Sequence, residues 1–141
     1  MNKLNKFIFL LLLVIPILII GCEKDKTPTD CGCNSKIVYT ITETKELTGT
    51  ISFKKQLDPN DNFYNNKFWI GYEDPNCSTC AHSLIVCNED LLAEFNDLRT
   101  LPIDTSVKIK FAGQIRETCE KIFHPSNSTY DMITLTKIEK Q

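Results

Sequence analysis

Asn88-Glu89-Asp90-Leu91-Leu92-Ala93-Glu94-Phe95-Asn96-Asp97-Leu98-Arg99 carries its apolar residues at helical spacing, in the middle of a 141-residue chain that otherwise alternates. Leu91, Leu92, Phe95 and Leu98 fall on one face of an α-helix. Asn88 is of N-cap type, and Glu89 and Asp90 put negative charge at the positive helix end. The helix is expected to stop near Arg99, before Leu101-Pro102.

On both sides of it the period is two. Ile37, Tyr39, Ile41, Leu47, Gly49, Ile51 and Phe53 all sit at odd positions, mostly with Thr, Ser, Lys and Glu between them, the mark of a strand with one buried face. A single strand of that length must bend, and Gly49 is where a bulge or kink costs least. Leu57 to Asn66 is turn-rich through Asp58-Pro59-Asn60-Asp61. A second strand follows at Lys67 to Tyr72, with Phe68, Ile70 and Tyr72 facing one way and Trp69 the other. Asp74-Pro75-Asn76 makes another turn before a short third strand at Ser83 to Cys87. Beyond the helix, Val107, Ile109 and Phe111 alternate with lysines, Gly113 marks a bulge, and Ile115 continues the strand. A polar loop from Glu117 to Thr129 leads to a last strand, Tyr130 to Glu139.

Three strands, a helix and two strands is the order of an OB-fold-like, five-stranded Greek-key barrel with one α-helix between strands 3 and 4. The competing arrangement is a small antiparallel sheet packed on one helix. In Leu101-Pro102, Val107-Lys108-Ile109-Lys110-Phe111-Ala112-Gly113 and Ile133-Thr134-Leu135-Thr136-Lys137-Ile138-Glu139-Lys140, the chain resembles small OB-fold-like lipoproteins of Bacteroidetes. The resemblance implies a fold and a location, and brings over no catalytic residue.

The start of the chain agrees with that location. Lys3 and Lys6 precede an apolar run from Phe7 to Ile20, broken only by Pro16, which is signal-peptide length and short of the roughly 20 residues that span a bilayer. Ile19-Ile20-Gly21-Cys22 resembles the lipobox of bacterial lipoproteins, with a small residue before the cysteine that receives lipid. The expected organisation is a cleaved leader over 1–21, a lipidated Cys22 with a flexible tether over 22–35, and one OB-fold-like domain over 36–141. A cysteine carrying acyl chains such as palmitate would hold the protein at a membrane, since two or more chains anchor stably. Glu23 and the charged residues after it favour the outer membrane of the cell envelope. Loss of the leader moves the formal charge from -2 to -4, which leaves no electrostatic footprint for nucleic acid.

With Cys22 committed to lipid, Cys31, Cys33, Cys77, Cys80, Cys87 and Cys119 remain as disulfide candidates, an even set in a compartment that permits the bond. Fifteen pairings are open. Cys31 and Cys33 are expected to seek separate partners, since residues two apart on an extended chain close poorly. One of them joined to Cys119 would staple the tether's end to the last loop. Cys77, Cys80 and Cys87 would share the other links. Two rival readings stand beside this. Cys77-Ser78-Thr79-Cys80 could act in thiol redox chemistry, though no βαβ pattern surrounds it, or it could join His82 with Cys87 or the Cys31/Cys33 pair around zinc or copper(I).

No catalytic constellation emerges. His82 and His124 are the only histidines, and neither lies in a nucleophile-elbow or zinc-protease motif. Asp58 to Asn62 lacks the glycine and distal glutamate of a calcium loop. The expected function is a non-catalytic binding module with no cofactor, anchored to the membrane and holding an envelope protein or a carbohydrate. OB-folds bind along strands two and three, where Trp69, Tyr64 and Tyr72, with Phe63 nearby, could form an aromatic platform. Alternatively, Tyr72 is core and Trp69 packs under the adjacent loop.

Overall fold

The computed structural model describes residues 31–74, 76–120 and 127–141. The leader, Cys22, the tether up to Asp30, Pro75 and His124 lie outside the described residues. Six strands and one helix follow in order: β1 (Tyr39–Ile41), β2 (Leu47–Lys54), β3 (Lys67–Asp74), β4 (Cys77–Val86), a 3-10 helix (Ala93–Arg99), β5 (Ser106–Glu117) and β6 (Ser128–Lys140).

The pairings β2–β3, β3–β4, β4–β6, β6–β5 and β5–β2 run in a circle, so five strands close a barrel and β1 adds to β5 outside the ring. All contacts are antiparallel except β4–β6. This is the expected mainly-β, OB-fold-like Greek-key arrangement. Inward residues of the strands, among them Ile51, Phe68, Ile70, Leu84, Ile109 and Phe111, form the core.

The long first strand is divided. A turn in which Lys45 N–H donates to the Thr42 carbonyl at 2.9 Å separates β1 from β2. Only Ile41 of the expected β1 face reaches the core, while Ile37 and Tyr39 are 44% and 61% exposed. The physical reason is that five other strands already close the wall, so β1 has no interior of its own to cover. Nor does the strand bulge at Gly49, which pairs in regular register with Ile109. Glycine is required there by close approach: a β-carbon would lie 2.6 Å from the Gly71 carbonyl oxygen and 3.2 Å from the Tyr72 β-carbon. A bulge does occur beside Gly113. Ala112 pairs with Lys137 and Gly113 with Leu135, so the extra residue is Thr136 of the facing strand.

The helix also differs from the expected form. It is 3-10, begins at Ala93, and Asn88 is no cap. Asn88 instead brackets the β6 bulge, accepting from Leu135 N–H at 2.7 Å and donating to its carbonyl at 3.0 Å. With Asn88 held there, the chain enters through successive tight turns, Leu92 N–H to Glu89 and Phe95 N–H to Leu92, each 2.9 Å. Three residues per turn align Leu92, Phe95 and Leu98 on one face, at 1%, 1% and 3% exposure, and leave Leu91 at 41%. These three side chains plug one end of the barrel. Arg99 braces the plug from outside, pairing with Glu89 and lying 4.7 Å from the ring centres of Phe53 and Phe68.

The geometry separates two truncations that an α-helix would make equivalent. Leu98→Ala is expected to cost about 2–5 kcal/mol, and Leu91→Ala less than about 1 kcal/mol, both measured by urea denaturation. Gly49→Ala is expected to lower stability by about 1–3 kcal/mol through overpacking.

Candidate functional site

Residues of β2, β3 and β4 that point away from the core form an open sheet face. Thr50, Gly71 and Ser83 stand in register across the three strands, as do Ser52, Trp69 and Ile85 in the next row. The first row holds only small side chains, and it lies where two hollows of about 510 and 520 Å³ meet, both lined by Thr50, Gly71 and Ser83. The result is one shallow trough crossing the strands. Leu57 and Ile103, both exposed, rim one end with Lys54 and Asp61, and Glu73, Ala81 and His82 border the other.

Trp69 flanks the trough and packs under the loop between β2 and β3. Its indole N–H donates to the Tyr64 carbonyl at 3.2 Å, and its ring meets Phe63 at 5.8 Å and Tyr130 at 5.9 Å. Ile85, its register neighbour, and Met132 beyond it are buried on this side. A second apolar cluster thus lies outside the barrel wall. Lys54 organises it, donating to the Phe63 carbonyl at 2.6 Å, pairing with Asp61 at 3.0 Å, and lying 5.4 Å from the Trp69 ring centre.

The loop's shape is set by its own turn chemistry. Asn60 N–H donates to the Asp58 carboxylate at 2.8 Å and Phe63 N–H to Asp61 at 2.9 Å. Tyr64 takes a positive φ of 45°, and its hydroxyl accepts from the backbone N–H of Cys119 at 3.1 Å and Glu120 at 3.4 Å. It ties the loop to the chain following β5.

Of the three residues expected on one ligand face, Trp69 and Tyr64 come together, while Tyr72 stands apart from them on the wall of the second hollow. Tyr72 points to the inner side, stacked on His82 at 4.8 Å and edge-on to Phe111 at 5.6 Å. Burial pushes its hydroxyl pKa up, and the charges of Asp131 and Asp74 add to the rise. The other residues of the trough, Thr50, Ser52, Gly71 and Ser83, gave no signal in the sequence beyond that of a solvent-facing strand.

The six cysteines form Cys31–Cys119, Cys33–Cys87 and Cys77–Cys80. Cys31 and Cys33 therefore have separate partners, and one of them is joined to Cys119. Cys77 and Cys80 lie within β4, which starts earlier than the alternation suggested because Cys77 still pairs with Asp74 beyond a register shift. With Cys87 joined to Cys33, the structure does not bring Cys87 to Cys77, Cys80 and His82. His82 instead shares a hydrogen bond of 2.7 Å with the Thr129 hydroxyl. Among the described residues, no group of three or more His, Cys, Asp or Glu side chains is placed to hold a metal ion.

Comparison with known proteins finds no family model matching the chain and no curated relative similar to it.

The Asp61 turn makes the loop acid-sensitive. The Phe63 N–H and the Lys54 ammonium hold the Asp61 carboxyl below its ordinary range. A depressed carboxylate contributes stability above its unfolded pKa of about 4 and loses it as pH falls through the folded value. Trp69 emission is expected to stay constant from about pH 8 to pH 5 and to shift below about pH 4. Asp61→Asn should show the shifted emission at neutral pH.

Proposed function

We propose that this chain is a non-catalytic binding domain that holds a carbohydrate in the trough beside Trp69, while lipid on Cys22 keeps it at the outer membrane of a bacterial envelope. The observation that carries the binding reading is the Thr50-Gly71-Ser83 row. It presents hydroxyls and open backbone in a channel with one aromatic flank, a combination suited to the hydroxyl-rich, partly apolar faces of sugars. This is also the strand face that OB-folds use for ligands. Both signs of charge border the channel, with Lys54 and Lys55 opposed by Asp58, Asp61 and Asp104, so it favours neutral ligands over polyanions. The lipid anchor is supported by the ordered signals around Cys22 and by the resemblance to Bacteroidetes lipoproteins.

Trp69 is the sole tryptophan, so its emission reports directly on the trough. Titration with soluble envelope oligosaccharides is expected to change that emission saturably. Gly71→Leu is the blocking variant, because a β-carbon at Gly71 meets only the Thr50 hydroxyl oxygen, at an ordinary 3.7 Å. It should keep the wild-type unfolding midpoint and weaken binding at least about tenfold. Binding undiminished in Gly71→Leu would place the ligand elsewhere. Saturation by an extended envelope-protein peptide, with none by oligosaccharides, would replace the carbohydrate by a protein segment.

For the anchor, Cys22→Ser is expected to move the protein from the detergent phase to the aqueous phase on partitioning. It should also abolish incorporation of labelled palmitate.

A further inference from the structure

The three disulfides differ in what they do for the fold. Cys31–Cys119 and Cys33–Cys87 close separations of 88 and 54 residues, whereas Cys77–Cys80 closes only 3. The constraint a bridge places on the unfolded chain grows with loop length, and by linkage the fold protects a bridge to the extent that the bridge stabilises the fold. The short bridge thus gives the fold little and receives little protection from it.

Its position has the same consequence. The two long bridges fasten the segment Cys31 to Cys33 to the end of β4 and to the residues after β5. Cys77–Cys80 joins two residues of a single strand. Ala81 to Ile85 of that strand pair on both sides, with β3 and with β6, but Cys77 is attached only through Asp74, past a register shift. Opening the bridge therefore releases the lip of one hairpin and leaves the barrel's closure intact. Both sulfurs belong to half-buried residues flanked by exposed Asn76, Thr79 and Ala81, so an attacking group can approach. The Thr79 hydroxyl lies 3.8 Å from Cys77 Sγ, where it can donate to a thiolate that develops there.

We infer that Cys77–Cys80 is a thiol–disulfide exchange site that accepts two electrons from a dithiol donor while the other two bridges remain closed. This goes beyond the binding reading and does not depend on it. One thiolate of the donor attacks Cys80 Sγ. The sulfur–sulfur bond breaks, and its electron pair passes to Cys77 Sγ, which takes a proton from solvent. The donor's second sulfur, deprotonated, then attacks its own partner in the mixed disulfide and releases Cys80, which is protonated in turn. The donor leaves as a disulfide and the chain holds two thiols.

Graded dithiothreitol, followed by alkylation and mass mapping of the intact, natively folded chain, tests this. Cys77 and Cys80 are expected to become alkylated at dithiol concentrations on the order of 100-fold lower than the other four cysteines, as the loop lengths imply. Circular dichroism and Trp69 emission should not change at that point, and one equivalent of oxidised dithiothreitol should form per chain. Backbone NMR shifts should be confined to Glu73–His82 and their pairing partners. Simultaneous appearance of all six thiols at the unfolding transition would overturn the proposal, as would earlier opening of either long bridge. A Cys77→Ser/Cys80→Ser variant separates selective reduction from general lability. It should consume no dithiothreitol in the low range and keep the wild-type fold, and consumption there would also refute the assignment.

Discussion

The parallel pairing of β4 with β6 is the constraint on which the rest of the molecule depends. Ala81 to Val86 run alongside Ser128 to Ile133 in one direction, and parallel neighbours cannot be joined by a tight turn. The chain must travel through the helix and β5 before it returns. That detour places Leu92, Phe95 and Leu98 under the open end of the barrel. It also sets β5 between β2 and β6, so that every ring strand has two neighbours and no long edge is left within it. Asn88 sits at the start of the detour and grips Leu135 near its end, joining the residues after β4 to β6 where β6 bulges against β5.

Closure creates the candidate site as well as the core. A closed barrel has an outer surface, and on β2, β3 and β4 that surface carries small residues in one row and Trp69 in the next. Trp69 is covered by the 57–66 loop and by Tyr130 of the wall strand β6. Lys54 joins that loop to the sheet by a charge, a carbonyl hydrogen bond and an aromatic face together. Tyr64 carries the connection on to the residues following β5. The trough flank is thus held by a small cluster with its own polar supports, separate from the main core.

The entry of the chain into the fold is secured in a different way. Gly32 takes a φ of +85°, and its N–H donates to the Glu117 carbonyl at 2.7 Å, a backbone turn between Cys31, which is bonded to Cys119 after β5, and Cys33, which is bonded to Cys87 after β4. A domain of this size has a modest core, and each long bridge contributes on the order of 4 kcal/mol in the loop-entropy picture. The fastening begins at Cys31, ahead of the domain start read at residue 36. Tension on any preceding tether would therefore be borne by covalent bonds before it reached β1.

What the sequence by itself determined were properties of short range. Alternation in residues 47–53, 67–72 and 107–115 specified strands and their buried faces. The Asp58-Pro59-Asn60-Asp61 turn was written in its residue types, and the order of strands around one helical stretch named the barrel. Closure decided the rest. Whether Asn88 capped a helix or bracketed a strand depended on Leu135, 47 residues away. That choice turned the helix into a 3-10 plug and left Leu91 outside. Gly49 read as a kink because its local cost is lowest there, but its role came from the Gly71 carbonyl across the sheet. The trough was illegible for the same reason: Thr50, Gly71 and Ser83 are unremarkable one at a time, and only the pairing register of three strands sets them side by side. Local periodicity encodes which way a side chain points, whereas its neighbour across the sheet is chosen by the free energy of the whole closed fold.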